Sequence, residues 1–426
     1  MESRMILNSI EIRNFRGIEY RNIDFKPGFN LVIGENGKGK TSILEAISVG
    51  LGGFIAGVPN VYSRHFSIDE IRAEYQRAGD GSCIKLTHTP VEVTCYATIH
   101  NQKIEWIRTR NSVNASRSTI QPRQIVKLAE ELSTKEGGEL PIIVYEAAAR
   151  VWSQKNDTKI TKGNKQDRSL GYRDALGEAS NIKMLKNWCV KMELTGFKMQ
   201  KKIAEYEAAK KAVADFMSIM ETGKRRNNCE IFYDHQLEEI MYLDSDDILP
   251  VNQLSAGYQS LIWMVFDIAY RMAVLNPDYG DEITKTSGVI LIDEIDTHLH
   301  PRWQWNVISA LRTVFPNVQF IATTHASIII ASAKDVNIID IDTEDYSYRT
   351  SMYGLDVNTT LENYQKAQSL PIIVDGIVND FNRSIDNQLL DEAEEHLMAL
   401  ERELGDEHPM VVKCRERLEL EKMFTE

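Results

Sequence analysis

Residues 34–41 read GENGKGKT and fit the pattern G-x-x-x-x-G-K-[ST] without a mismatch. Residues of these types at this spacing do phosphate chemistry. Glycines such as Gly37 and Gly39 let successive backbone N–H groups curl around a polyphosphate, with Asn36 and Ser42 beside them. The helix that follows adds the partial positive charge of its N-terminus. Lys40 is expected to reach the β and γ phosphates of a nucleoside triphosphate, and the Thr41 hydroxyl to ligate Mg²⁺.

A second group lies far along the chain. Residues 288–294, GVILIDE, run four apolar side chains into two carboxylates. Asp293 is expected to hold Mg²⁺ through water, and Glu294 to orient and deprotonate the water that attacks the γ-phosphate. Residues 254–260, LSAGYQS, open a helical apolar run. Small residues there, Ser255 and Gly257, leave backbone N–H groups bare for an anion. Residues 318–325, VQFIATTH, end in His325, placed to bond the γ-phosphate. His298 and His300 suggest a metal pair, but no third ligand stands near them and Pro301 starts a helix.

These groups need rigid elements to meet. Residues 29–33 (FNLVI) read as a buried strand before the glycine loop, and residues 42–49 as a helix after it. Residues 288–292 read as a parallel strand that presents its acids at the carboxyl edge, where ligands sit in open α/β sheets. Short alternating runs over residues 84–110 predict a β-meander. Residues 111–140 and 153–170 are polar, with little to bury. Residues 153–168 read as a linker or solvated loop with five basic residues. From residue 181 to about 223 the spacing is helical, through Leu185, Trp188, Met192, Ile203, Tyr206, Ala209, Val213, Phe216 and Ile219. There are no sustained heptads and no cysteine pair, hence no long coiled-coil arm. Residues 357–424 read as wholly helical and charge-rich, with a stripe of Leu389, Ala393, Leu397, Leu400 and Leu404 and a turn at residues 405–409.

The order of these motifs resembles the ABC-type ATPases of the RecF, SMC and overcoming-lysogenization-defect group. The likeness spans most of residues 6–345. It is carried by the opening IEIRNFRG (residues 10–17), the phosphate loop, the LSAGYQS signature, the IDEID strand and ATTHAS at residues 322–327. The resemblance implies an α/β fold: a P-loop core with a β-meander, an inserted helical lobe and an all-helical C-terminal extension. It also implies a head-to-tail pair, a homodimer or higher oligomer, with two ATPs sandwiched. Ser255 would then act on the partner's nucleotide, Asp296 would lie between the sites, and Arg16 of the first strand would lie near the nucleotide. The signature departs from the family's common form, reading Ser-Ala-Gly-Tyr for Ser-Gly-Gly-Gln. The glutamine loop is not evident either; Gln121, Gln124 and residues 141–147 are the alternatives. Finer phrasing, such as GENGKGKTSILEAIS and GVILIDEIDTHLHPRWQ, resembles the small ATPases of bacterial anti-phage defence islands, Septu-type systems among them. That resemblance implies a separate HNH nuclease as partner, held by the C-terminal helices, with DNA reached through it.

Composition sets the outer limits. The chain has 426 residues, 43% hydrophobic and 26% charged, with a formal net charge of −13. That balance argues against global nucleic-acid binding. No apolar run approaches the roughly 18 residues of a membrane span, and no signal-type stretch opens the chain. The five cysteines are scattered, as reduced thiols in a cytoplasm would be. Asp340 and Asp342 form a D-x-D, but no acid-bearing strand precedes them, so no internal nuclease of Toprim type is expected. Four stretches follow. Residues 1–150 hold the phosphate loop and meander, 151–250 the polar loop and helical lobe, 251–350 the signature, acids and histidine, and 351–426 a helical docking hairpin. An ATP-switched regulator of a nuclease is the leading expectation. A RecF-like repair ATPase that binds DNA as an ATP-dependent dimer is the alternative, and a transporter ATPase is disfavoured by the FRGI and THLHP runs.

Overall fold

The computed structural model describes residues 4–135, 137–148, 167–177, 182–225, 229–245, 247–342, 347–349, 352–356, 359–360 and 370–425. The chain divides into two compact units, Met1–Gly354 and Leu355–Glu426.

The first unit is built on a six-stranded sheet, counted among the described residues. Its order is Ser347–Arg349, Asn337–Asp340, Phe29–Ile33, Val318–Thr323, Gly288–Ile292 and Ile142–Glu146. The last five run parallel, and Ser347–Arg349 pairs antiparallel at one edge. Every residue of Phe29–Ile33, Gly288–Ile292, Val318–Thr323 and Ile142–Glu146 is buried. Such mostly apolar, continuously buried runs, with Asn30, Gln319, Thr323 and Glu146 as their polar members, suit strands covered on both faces. The helix Lys40–Ile55 supplies part of that cover, with nearly all its residues buried.

A second, antiparallel sheet runs Ile18–Asp24, Met5–Phe15, Val91–Ile99, Gln102–Arg110 and Thr119–Gln121. The buried side chain of Gln319 bonds it to the first: its Nε2 donates to the Leu7 and Lys26 carbonyls at 2.9 and 3.0 Å, and its Oε1 accepts from Leu7 N. The expected meander is therefore shorter than residues 84–110. Cys83–Thr87 instead pairs with Ala73–Arg77 in a separate hairpin, where Ile84 and Leu86 are exposed among the described residues. Residues 111–140 are also less uniformly polar in effect. The helix Gln124–Thr134 buries Ile125, Val126 and Ala129 on one face. Most of the expected linker lies outside the described residues; its last residue, Arg168, donates to the Leu275 carbonyl at 2.5 Å and to Asn276 Oδ1 at 3.1 Å.

The helical lobe consists of Ile182–Met199 and Ala204–Thr222. Trp188 meets Tyr206, Phe266 and Tyr270 edge-on, which seats the lobe on the helix Ala256–Leu275. Between lobe and signature the chain forms a three-stranded antiparallel sheet, Cys229–Asp234, Glu239–Asp244 and Asp247–Pro250. The sequence reading does not anticipate that sheet.

The second unit holds the helices Ile372–Asp386, Leu390–Leu404 and Pro409–Thr425. Val374, Phe381, Ile385, Ala393, Leu397, Leu400, Val411, Cys414 and Leu418 form its core. Ala393, Leu397 and Leu400 of the expected stripe are buried, while Leu389 precedes its helix and stays exposed. A third helix thus joins the expected pair. Among the described residues no helix is long and apolar enough to cross a membrane.

Candidate functional site

The glycine loop leaves the buried strand Phe29–Ile33 and enters the helix Lys40–Ile55. Gly37 and Gly39 have φ of +83° and +96°, a conformation that a side chain would strain, so the turn requires glycine. Gly34 is required by contact instead: a Cβ there would stand 2.7 Å from Ile341 Cγ1. Asn36 is exposed and Ser42 half-buried on the same loop and first helical turn. The buried Lys40 Nζ donates to the carbonyls of Gly34 and Glu35 at 2.6 and 2.8 Å. Burial lowers its pKa, against the opposing pull of Asp342, Asp293, Glu294 and Asp296. The charges of these four carboxylates all favour the ammonium form of Lys40.

The acids arrive from the strand Gly288–Ile292, two places along the sheet from Phe29–Ile33 with Val318–Thr323 between them, and so residues 252 positions apart come into contact. Thr41 Oγ1 donates to Asp293 Oδ2 at 2.9 Å. Thr323 Oγ1 donates to Asp293 Oδ1 at 2.7 Å and accepts the Glu294 N–H at 2.7 Å. Glu294 sits in the left-handed region at φ +46°, and its Oε2 accepts from Thr297 Oγ1 at 3.0 Å. The Thr41 hydroxyl and the Asp293 carboxylate form a pair of hard oxygens that fits Mg²⁺, a cation that takes few protein ligands and keeps several waters. Asp296 accepts from Thr324 Oγ1 at 2.5 Å and from the His325 N–H at 3.3 Å. For His325, burial and then the Lys40 charge lower the pKa, so its imidazole favours the neutral form.

The signature lies at the start of the helix Ala256–Leu275, with Ser255 at its N-terminal boundary. Ser255 is exposed and its side chain makes no cap bond to its own helix. Gly257 is buried; a Cβ there would fall 2.6 Å from the His298 carbonyl oxygen. Arg16 packs on the phosphate-loop helix: its Nη2 meets Glu45 Oε1 at 2.7 Å, and its backbone takes φ +49°. Of the two histidines considered as a metal pair, His300 caps the helix Pro301–Gln304 by accepting the Arg302 N–H, and His298 is exposed.

Among the alternatives for the glutamine loop, Gln121 and Gln124 are exposed at the second sheet and the helix after it. Residues 142–146 form the strand beside the acids, where the Glu146 carbonyl accepts the Asp293 N–H at 2.8 Å. Sequence reasoning missed three contributors. Thr323 and Thr324 are adjacent to His325, so their positions carried a signal. Asp342, whose carboxylate accepts the Glu35 N–H at 2.8 Å, carried none: only the parallel pairing of Asn337–Asp340 with Phe29–Ile33 puts it there.

Comparison with known proteins agrees with this architecture. A family model described as "AAA domain" matches residues 9–221, half of the chain. A second, described as "AAA domain, putative AbiEii toxin, Type IV TA system", matches residues 203–331. The chain is 25% identical to the Retron Vc95 probable ATPase of Vibrio cholerae serotype O1 biovar El Tor, over 82% of this chain and 76% of that one. It is 24% identical to the Septu protein PtuA of Bacillus thuringiensis, over 90% of each. Among solved structures, the SmcHead bound to the C-winged helix domain of ScpA superposes with a TM-score of 0.50 at 18% identity, covering 81% of this chain and 97% of that one. That likeness shows the fold.

Proposed function

The chain belongs to the AAA domain family, and from that premise we propose that it is an ATP-hydrolysing switch of an anti-phage defence system that restrains a separate HNH-type nuclease. The observation that carries the reading is the convergence of Lys40, Thr41, Asp293, Glu294 and His325 at the carboxyl edge of one parallel sheet. In this reading the loop of Asn36, Gly37, Gly39 and Ser42 cradles the phosphates and Lys40 bonds the β and γ groups. Thr41 and Asp293 would hold Mg²⁺, which would offset the phosphate charge. Glu294 takes the proton of the attacking water, and Thr297 keeps its carboxylate in place. His325 donates to the γ-phosphate as a neutral imidazole, and Arg16, paired with Glu45 of the phosphate-loop helix, lies near the nucleotide. Ser255 and Gly257 of one copy close over the nucleotide of a second copy, with Asp296 between the two sites. The helical C-terminal unit docks the nuclease, and DNA is reached through that partner in the cytoplasm. The names of the retron and Septu relatives support the defence setting.

Glu294→Gln tests the centre of this reading. The variant is expected to bind ATP like the parent, to hydrolyse it roughly 10²–10⁴-fold more slowly, and to accumulate as an ATP-bound dimer on light scattering. Turnover at the parent rate would remove Glu294 as the base. One feature favours a second reading, direct DNA binding by a repair-type dimer. At the end of Ile182–Met199, Phe197 is 84% exposed beside the exposed Lys198, Lys201 and Lys202. That reading requires an ATP-dependent DNA shift with steep salt dependence.

A further inference from the structure

Tyr258 stands where the common signature has glutamine, and its neighbours come from three separate stretches of chain. Its hydroxyl donates to Glu221 Oε1 at the end of the lobe helix Ala204–Thr222. Its ring meets Trp303 edge-on, with centroids 4.5 Å apart at 85°, and tilts against Tyr242 at 6.0 Å. One residue earlier, Gly257 closes on the His298 carbonyl. The same corner is stitched twice more: Asn306 Nδ2 donates to the Met220 carbonyl at 3.0 Å, and Arg302 Nη2 to the Glu221 carbonyl at 3.4 Å.

Residues 294–303 therefore have two ends with different duties. At one end Glu294 and Asp296 are held by Thr323, Thr297 and Thr324. At the other end His298 and Trp303 seat the start of the signature helix. A hydrogen bond to a carboxylate is among the stronger neutral-donor contacts, and an edge-on aromatic pair adds stabilisation beyond its burial. We propose that Tyr258 is a positioning residue for hydrolysis: through Glu221 and Trp303 it joins the lobe, the signature helix and the acid-bearing loop into one rigid corner. Engagement of Ser255 with a second copy's nucleotide then sets the acids that face the chain's own. The inference rests on the two-copy site described above. It also gives the tyrosine in this signature a physical role, since a glutamine offers no ring for Trp303.

The test is steady-state turnover, ATP binding and melting of Tyr258→Phe, Glu221→Ala and the double variant, beside the ATP-dependent dimerisation of Glu294→Gln. Tyr258→Phe keeps the ring and removes only the hydroxyl. Its kcat is expected to fall on the order of tenfold with ATP affinity within about twofold. Its Hill coefficient should drop toward one, and the double variant should fall no lower than the worse single one. Parent values of kcat and Hill coefficient in Tyr258→Phe, with Glu294→Gln still dimerising, would overturn the inference. So would a loss of turnover matched by an equal loss of ATP-binding protein, which marks a structural role alone. A Glu294→Gln chain that stays monomeric in ATP would instead overturn the two-copy site, and this inference with it.

Discussion

Thr323 shows how much of the site hangs on single hydroxyls. One oxygen donates to Asp293 and accepts from the Glu294 backbone, so the two acids keep one relative geometry. His325 is the site's titrating member. Burial and the nearby Lys40 charge lower its pKa from the ordinary value near 6.5. Between the lowered and ordinary values the unfolded chain binds more protons than the fold. This histidine's contribution to stability is therefore complete above the ordinary value and is lost as the pH falls. An NMR titration should find His325 below the ordinary range, and kcat should hold its plateau as the pH drops through about 6.5. Titration at or above the ordinary value would remove the neutral donor from the scheme.

At the scale of elements, the legible parts were those with one strong period. The strands Phe29–Ile33, Gly288–Ile292 and Val318–Thr323 are short, mostly apolar and fully buried, and each ends at or beside a site residue. The hairpin at 83–87 was misjudged because alternation marks a strand without naming the strand it pairs with. The helix Gln124–Thr134 was missed because its three buried residues are diluted by charge. The signature helix adds a prediction. Its Gly257 lies against backbone, which cannot move aside as a flexible side chain can. Gly257→Ala should shift the helix start or the His298 loop, costing about 1–3 kcal/mol in stability. Turnover should fall at least tenfold, roughly, while ATP binding at the Lys40 loop persists, as stopped-flow binding beside a turnover assay would show.

For the whole molecule, the division at residues 354 and 355 matters most. The first unit contains every candidate site residue. The second has a core of its own and a surface rich in acids, with Ile372, Ile373 and Met423 exposed. A chain ending at residue 354 is expected to bind ATP within about twofold of the full chain, since no site residue is lost. It should fail to retain the nuclease partner proposed above on size-exclusion chromatography. Retention of that nuclease by the shortened chain would move the docking surface to the first unit.

By itself the sequence determined the chemistry on offer. The phosphate loop, the two acids and the signature are short local patterns in which spacing and residue type suffice, because each lies at the end of one element. The resemblance to defence-island ATPases was carried by the same phrases. Only the tertiary structure decided the contacts that depend on which strands become neighbours. Parallel pairing carries Asp342 to the loop at residue 35, and helix packing brings Glu221, Tyr258 and Trp303 together from three parts of the chain. No local period encodes such meetings, since a side chain's type says what it can bond and only the path of the chain says what it will meet.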